Sequence, residues 1–272
     1  STVSIESAER NLMQESIGNT FKEIREEARD KWNKFFSKIS VEGSRTQKTA
    51  FYTSLYHLAI QPNNIADVEG KYRGADLETI YTSDSKKYYS TIAMWDIYRG
   101  AFPLYTILIP EKSGEFISSL LKYAEHNGHL PRWFLWGRDS HGMIGNHAVA
   151  MVAEAYLKGI GGIDGEKAFA AVKATLTKDV GDKYDWDVYD KYGYLPADII
   201  DKESVSRTLE ATYDDWCAAQ MAKKLGKTED YHFFINRASY YKNVFDTTTL
   251  LMRGKNKDGS WVKPFDPIKI DQ

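Results

Sequence analysis

Apolar positions recur along most of this chain at steps of three and four, the spacing that places side chains on one face of a helix. Phe21, Ile24, Ala28, Trp32, Phe35 and Ile39 form the first stripe, and Thr20 with Glu23 supplies a capping box at its start. Phe51, Leu55 and Ala59 form a second, running to Pro62. Trp95 to Ile109 reads as one helix that Pro103 must kink, because proline lacks an N–H and crowds the preceding turn. Phe116, Leu120 and Ala124 mark a helix closed by Gly128, and Val149, Val152 and Tyr156 one closed by Gly159. Asp164 caps a helix carrying Phe169, Val172 and Leu176. Leu209, Tyr213, Trp216 and Cys217 lie on a long helix ending at Gly226, with the Trp216–Cys217 side packed inward. Phe234, Ala238, Tyr241 and Phe245 form the last.

Other segments break this period. Residues 1–5, "STVSI", alternate as a strand does, and residues 61–90 read as one long polar loop, a length that is often functional. A hairpin around Asp258-Gly259 closes the chain. The periodicity thus gives roughly eight helices, and the absence of a fixed-period repeat disfavours a simple solenoid. Helix pairs joined by long aromatic-rich loops predict an all-α toroid whose cleft lies at the loop end. The loops 61–90 and 128–146 are expected at that same end, since cleft loops of one barrel share a face.

Composition narrows the function classes. The 272 residues are 42% hydrophobic and 27% charged with a net charge of −2, and no basic face announces nucleic acid. No apolar run approaches the length of a membrane span, and no stretch reads as a signal peptide. Cys217 is the sole cysteine, which excludes an internal disulfide and a cysteine-based metal site. The unusual figure is 14% aromatic content, enough for both a ring-rich core and a ring-lined cleft.

Chemistry concentrates in "LPRWFLWGRDSHGMIGNHAVAM", residues 130–151. Asp139, Ser140 and His141 are sequence neighbours on a loop, not the Gly-x-Ser-x-Gly turn of a hydrolase elbow. His141 and His147 lack the His-Glu-x-x-His spacing of a helical zinc site. His147 follows a Gly-Asn turn, and it reads equally well as a helix-start histidine bonded to backbone and as a donor to a polar ligand. In "GDKYDWDVYD", Asp182, Asp185, Asp187 and Asp190 lack the central glycine and terminal glutamate of a calcium loop and read as a solvated acidic loop. Asp214 and Asp215 read as capping or pairing residues.

Four segments together resemble one family: "FYTSLYHLAIQPNNIADVEGKYRG", "YSTIAMWDIYRGAFPLYTILIPE", "GHLPRWFLWGRDSHGMIGNHAVAMVAEAYLKGI" and "YGYLPADIIDKESVSRTLEATYDDWCAAQMAKKLGKTEDY". Their order and spacing resemble the catalytic region of glycoside hydrolase family 92, bacterial calcium-dependent exo-α-mannosidases. The resemblance runs from about residue 2 onward, and its Trp-Asp-x-x-Arg and Leu-Pro-x-Trp…Met-x-Gly-x-His blocks are specific. It implies a β-sandwich followed by an (α/α)6 barrel. Residues 1–18 are then the remnant of that sandwich with its linker, 19–44 the linking helix, and 45–272 the N-terminal part of the barrel. The fold expected is a partial (α/α)6 toroid of antiparallel helix pairs with short β-hairpin insertions.

The implied reaction is inverting hydrolysis of terminal α-mannose, of the α-1,2 class, from glycans such as N-glycans. One carboxylic acid protonates the leaving oxygen and a second carboxylate activates water. Calcium is the implied cofactor, and the implied location is periplasmic or extracellular. The family's acid block, Thr-Glu-Gly-Asn-Ala-Trp-Gln-Tyr, does not occur in this sequence, nor do its calcium-ligand and base blocks. In the family they follow the segment matched by Phe265-Asp266-Pro267. Catalytic and metal-binding residues are therefore expected beyond Gln272, with no calcium bound to this chain, no turnover by it alone, and self-association through exposed barrel surface. For substrate binding the resemblance points to Trp95, Asp96, Trp133 and His147, with Arg73 and Glu203 as further candidates. A polysaccharide lyase or trehalase-like hydrolase of the same toroidal type, and a non-catalytic glycan-binding module, stand as alternatives.

Overall fold

The computed structural model describes residues 1–178, 185–200 and 202–268. Its first helix, α1 (Ile5–Ser16), starts where a strand was expected: the Ser4 side chain accepts from the Ser7 N–H, and Ile5 is already helical. A short alternating run carries no force against an N-cap followed by a helix-forming sequence. α2 (Phe21–Phe36) begins at the expected capping box, with Thr20 and Glu23 bonded reciprocally. α3 (Arg45–Leu58) has a second box from Ser44 and Gln47.

The segment read as one polar loop is two nested antiparallel hairpins. β1 (Asn63–Asn64) pairs with β4 (Tyr89–Ser90), and between them β2 (Lys71–Arg73) pairs with β3 (Ile80–Thr82). Its tyrosines explain the order. Tyr72 lies opposite Tyr81, and its ring stacks on Tyr88 at 3.8 Å.

The expected helix from Trp95 breaks elsewhere than at proline. α4 (Met94–Ile97) ends before Tyr98, and α5 (Ala101–Leu108) begins after Gly100. Pro103 sits in the first turn of α5, where its missing N–H costs nothing. α6 (Pro110–Asn127) ends at Gly128 as expected, in the left-handed conformation with φ of 82°. A small hairpin follows, β5 (Phe134–Leu135) with β6 (Arg138–Asp139), and then α7 (Ala148–Leu157). α8 (Gly165–Thr177) carries the predicted Asp164 cap.

The expected acidic loop is in part a helix, α9 (Trp186–Tyr192), which buries Trp186 and Tyr189 one turn apart; Asp182 lies outside the described residues. α10 (Ser204–Lys224) and α11 (Thr228–Arg237) follow. The last predicted helix continues only as a 3-10 turn at Tyr240–Val244, and β7 (Phe245–Asp246) then pairs with β8 (Leu251–Met252). Residues 254–262 turn back as a hairpin around Asp258-Gly259, with Lys255 bridged to Trp261.

Helices α5, α7 and α10 pack side by side as one layer, and α6, α8 and α11 lie behind them. α7 is the centre. Seven of its residues are buried, among them Ala148, Ala150, Ala153 and Ala155, whose small side chains let neighbouring helices approach. Two layers of helices with small hairpins are the partial-toroid architecture read from the sequence. The long connections lead into the N-termini of α5, α7 and α10. The connections before α5 and α7 also touch: Ile92 bridges Phe134, and the Gly137 N–H donates to Ser90 Oγ at 2.7 Å. The two long segments therefore share one end of the body. Trp216 corrects the expected packing of its helix: Cys217 is buried, but Trp216 is 48% exposed.

Candidate functional site

The shared loop end is organised by buried carboxylates that hold backbone in place. In the α6–α7 connection, Asp139 is nearly buried and accepts from the backbone N–H groups of Arg132 (2.8 Å), Trp133 (3.1 Å) and His141 (2.8 Å). A carboxylate accepting three backbone amides fixes the loop around it. His141 is mostly exposed and stands 3.4 Å from Asp139.

The Gly145-Asn146-His147 turn meets α10. Asp214 accepts from the Asn146 N–H at 2.7 Å and from His147 Nδ1 at 2.9 Å. His147 Nε2 lies against the Glu210 carboxylate. Glu210 and Asp214 are four residues apart, so one helix face presents both. Gly145 has φ of +69°, and a Cβ there would stand 3.0 Å from both the Glu210 Cβ and the imidazole ring. The turn thus requires glycine both for its backbone and for the close approach. Burial works against a charge on His147, but Asp214 and Glu210 outweigh it and raise its pKa to about 9.

Tyr98, in the α4–α5 bend, stacks on His147 with centroids 3.9 Å apart and planes 20° apart. Arg99 lies over the Tyr98 ring and donates to its hydroxyl. α4, which leads into this bend, presents Trp95 and Asp96. Asp96 is exposed and has no hydrogen-bond or ion-pair partner among the described residues. Trp95 is half-buried, and its indole Nε1–H is buried with no partner among the described residues. Trp133 is half-buried on the adjoining hairpin segment, where Trp136 is 64% exposed.

Trp95 and Asp96 stand in α4, next to the Tyr98 that stacks on His147, and Trp133 precedes the Phe134 that bridges Ile92; the role expected of His147 is corrected. That side chain is fully buried between two carboxylates and a tyrosine, so it reaches neither backbone nor a ligand. Arg73 is corrected as well. Its guanidinium donates to the carbonyls of Thr2 (2.6 Å), Val3 (2.8 Å) and Leu77 (2.8 Å), which ties the chain start to β2 and leaves no fork for a sugar. Glu203 precedes α10 with φ of 60°, is exposed, and makes no side-chain capping bond.

Sequence reasoning missed Tyr98, Glu210 and Trp136. The four-residue spacing of Glu210 and Asp214 is the signal that could have found the clamp. It needs a basic partner from another segment, which no local pattern reveals.

Calcium, the ion implied by the resemblance, takes six or more oxygen ligands. Among the described residues no three acidic, histidine or cysteine side chains converge on a point that could hold a metal. The acidic stretch does not gather either: Asp185 pairs with Arg207, Asp190 with Arg237, and Asp187 is exposed. The described residues do not fit that ion.

The chain is similar to known proteins. The model of the glycosyl hydrolase family 92 catalytic domain matches residues 7–272. The fold superposes on a family 92 α-mannosidase of Bacteroides thetaiotaomicron, solved in complex with mannoimidazole, with a TM-score of 0.93 and 38% identity. That match covers 98% of this chain and 35% of the other. A family 92 inverting mannosidase of the same organism gives 0.91 and 27% identity, covering 99% of this chain and 37% of that one. An uncharacterized secreted glycosidase of Arthroderma benhamiae is 30% identical over 167 residues, which is 54% of this chain and 20% of the relative. The chain thus spans about a third of the solved structures it resembles and a smaller share of the fungal relative.

Proposed function

This chain belongs to glycosyl hydrolase family 92, and from that premise we propose that it forms the substrate-holding part of an enzyme that removes terminal α-mannose from glycans. The observation that carries this reading is the Trp95–Asp96 pair. An exposed carboxylate without a partner stands beside an indole whose buried N–H is unsatisfied, both on a rigid bend at the loop end. Asp96 accepts from adjacent hydroxyls, and Trp133 offers an apolar face to sugar C–H groups. The solved relatives named as mannosidases, one holding mannoimidazole, support mannose as the sugar.

Inverting hydrolysis needs two carboxylates on opposite faces of the sugar. Around His147 the carboxylates are committed: Asp214 and Glu210 to the imidazole, Asp139 to three amides. We assign proton transfer, and any calcium the reaction uses, to residues outside these 272, and to this chain the holding of the sugar. An α-1,2 preference and an extracytoplasmic location belong to the same proposal. The location is supported by the secreted description of the fungal relative. No helix among the described residues is long and apolar enough to cross a membrane.

The test compares the intact gene product with its Asp96→Ala variant on 4-nitrophenyl α-mannoside. A charged hydrogen bond to substrate is worth roughly a hundredfold at its upper range. The expected result is a fall of that order in kcat/KM at unchanged melting temperature. Equal kcat/KM in the two proteins overturns the assignment.

A further inference from the structure

We infer that His147 is a positioning residue: an imidazolium clamped by Asp214 and Glu210 that fixes Tyr98, and through Tyr98 the bend that presents Trp95 and Asp96 to the sugar. The inference rests on the mannoside reading for what the bend presents. Its structural half stands without that reading.

The geometry alone assigns the charge. An ionised carboxylate only accepts hydrogen bonds, and each ring nitrogen of His147 faces one. Nδ1 hydrogen-bonds to Asp214, while Nε2 lies against Glu210 as an ion pair without a hydrogen bond, and two carboxylates against one ring favour its doubly protonated form. Asp214 is itself held by the Asn146 N–H, so it cannot swing away, and Gly145 allows α10 to approach the ring. The resulting cation lies flat on Tyr98, with Arg99 over the same ring. A desolvated cation on an aromatic face is one of the stronger contacts available to a side chain. Tyr98 is the residue that closes α4, its N–H donating to the Met94 carbonyl at 3.0 Å, and Asp96 is two residues away. A buried group with no route to substrate thus sets where the exposed carboxylate stands.

Other titratable and charged groups face this cluster from each packed element. Tyr98 and Arg99 do so from the α4–α5 bend, and Glu210, Tyr213 and Asp214 from α10. Arg132 and Arg207 line a small cavity together with Asp214. The carboxylates in direct contact decide the outcome, and the raised pKa of about 9 agrees with that.

The test has three readings. Nitrogen-15 spectra of the histidine rings in this chain are expected to show both His147 nitrogens protonated at pH 7, with a midpoint near the same value of about 9. Glu210→Gln, at a partly exposed carboxylate, is expected to lower that midpoint by about 1 unit or more. A neutral ring at pH 7, or an unmoved midpoint, overturns the inference. Hydrogen exchange at fixed pH is expected to accelerate roughly thirtyfold at Ile97 and Tyr98 in His147→Gln, the loss of a desolvated cation–π stack. Unchanged exchange there overturns it too. In the intact gene product, Asp214→Asn is expected to move the alkaline limb of kcat/KM on 4-nitrophenyl α-mannoside down by about 1–3 pH units. An unmoved limb severs the clamp from catalysis. If the wild-type product shows no turnover, the mannoside reading fails while the ring spectra and exchange still decide the clamp. If Asp214→Asn does not fold, Glu210→Gln gives the same shift in the same assay.

Discussion

Arg237 is the most consequential buried charge outside the cleft, and its removal has a calculable cost. The guanidinium is buried and donates to Asp215 Oδ2 at 3.1 Å and to the Leu176 carbonyl at 3.0 Å. Trp186, Tyr189 and Phe233 place their rings within 5.2 Å of it. Asp215 is fully buried; burial pushes its pKa up to about 7 even though Arg237 pulls it down. Arg237→Met keeps the apolar volume and strands the carboxylate. Breaking a buried pair in this way costs about 3–5 kcal/mol. The cost must depend on pH, and the sign follows from linkage. Without Arg237 the folded pKa of Asp215 rises further above its unfolded value near 3.9. The native variant then holds a proton the unfolded state has released, and its stability falls by about 1.4 kcal/mol per pH unit from near pH 4 up to that folded pKa; the wild type shares this slope up to about pH 7, so the cost of the substitution grows only above pH 7. Urea unfolding followed by circular dichroism at pH 5, 7 and 8.5 is the assay. A cost that is similar at pH 5 and 7 and larger at pH 8.5 supports the argument; a cost below about 1 kcal/mol, or one no larger at pH 8.5 than at pH 7, refutes it.

Other expectations follow from single contacts. Gly145→Ala places a Cβ 3.0 Å from Glu210 and His147 at φ of +69°; it should lower stability by about 2 kcal/mol, read from the urea midpoint. Asp139→Ala removes the acceptor for three backbone amides; it should cost at least about 2 kcal/mol and speed amide exchange at Arg132, Trp133 and His141. Thr20→Ala opens the capping box of an exposed helix and should cost about 1 kcal/mol, seen as a modest drop in melting temperature. Ile107, Leu157, Tyr213 and Trp216 are all more than a third exposed on the α5–α7–α10 layer. Sedimentation velocity should therefore show self-association of the 272-residue chain, weakened by Trp216→Glu; a monomer at high concentration counts against it.

The helices were legible because their determinants are local. Caps at Thr20 and Asp164 and glycine stops at Gly128 and Gly159 stand within a few residues of the turns they control. What escaped was decided by distant partners. Residues 71–90 gave no clean strand pattern because their order comes from Tyr72, Tyr81 and Tyr88 stacking across two hairpins. The start of the chain alternated like a strand, yet Ser4 capped a helix. The site divides the same way. Trp95, Asp96 and Trp133 were found through motifs that resemble a known family. The burial of His147 was hidden because Glu210 and Asp214 lie more than sixty residues further along the chain. Arg73 looked available because nothing in its neighbourhood announces the Thr2 and Val3 carbonyls.

Consecutive residues on α10 show how one helix serves both layers. Successive side chains on a helix point about 100° apart, so Asp214 and Asp215 face different neighbours although they are adjacent. Asp214 reaches forward to the turn that opens α7, where it holds Asn146 and His147. Asp215 reaches back to Tyr189 on α9 and Arg237 on α11. Trp216 takes a third direction and is half exposed on the layer formed with α5 and α7. A rotation of α10 would break both buried acid clusters at once, because neither carboxylate has room to follow. The outer-layer pair at Arg237 therefore sets the rotational position of Asp214, and hence of the clamp on His147. Arg237→Met should then lower the His147 titration midpoint as well as stability, although the two residues share no contact. In ring spectra recorded at a pH where the variant is still folded, an unchanged midpoint would mean that α10 holds its orientation without the Asp215–Arg237 pair.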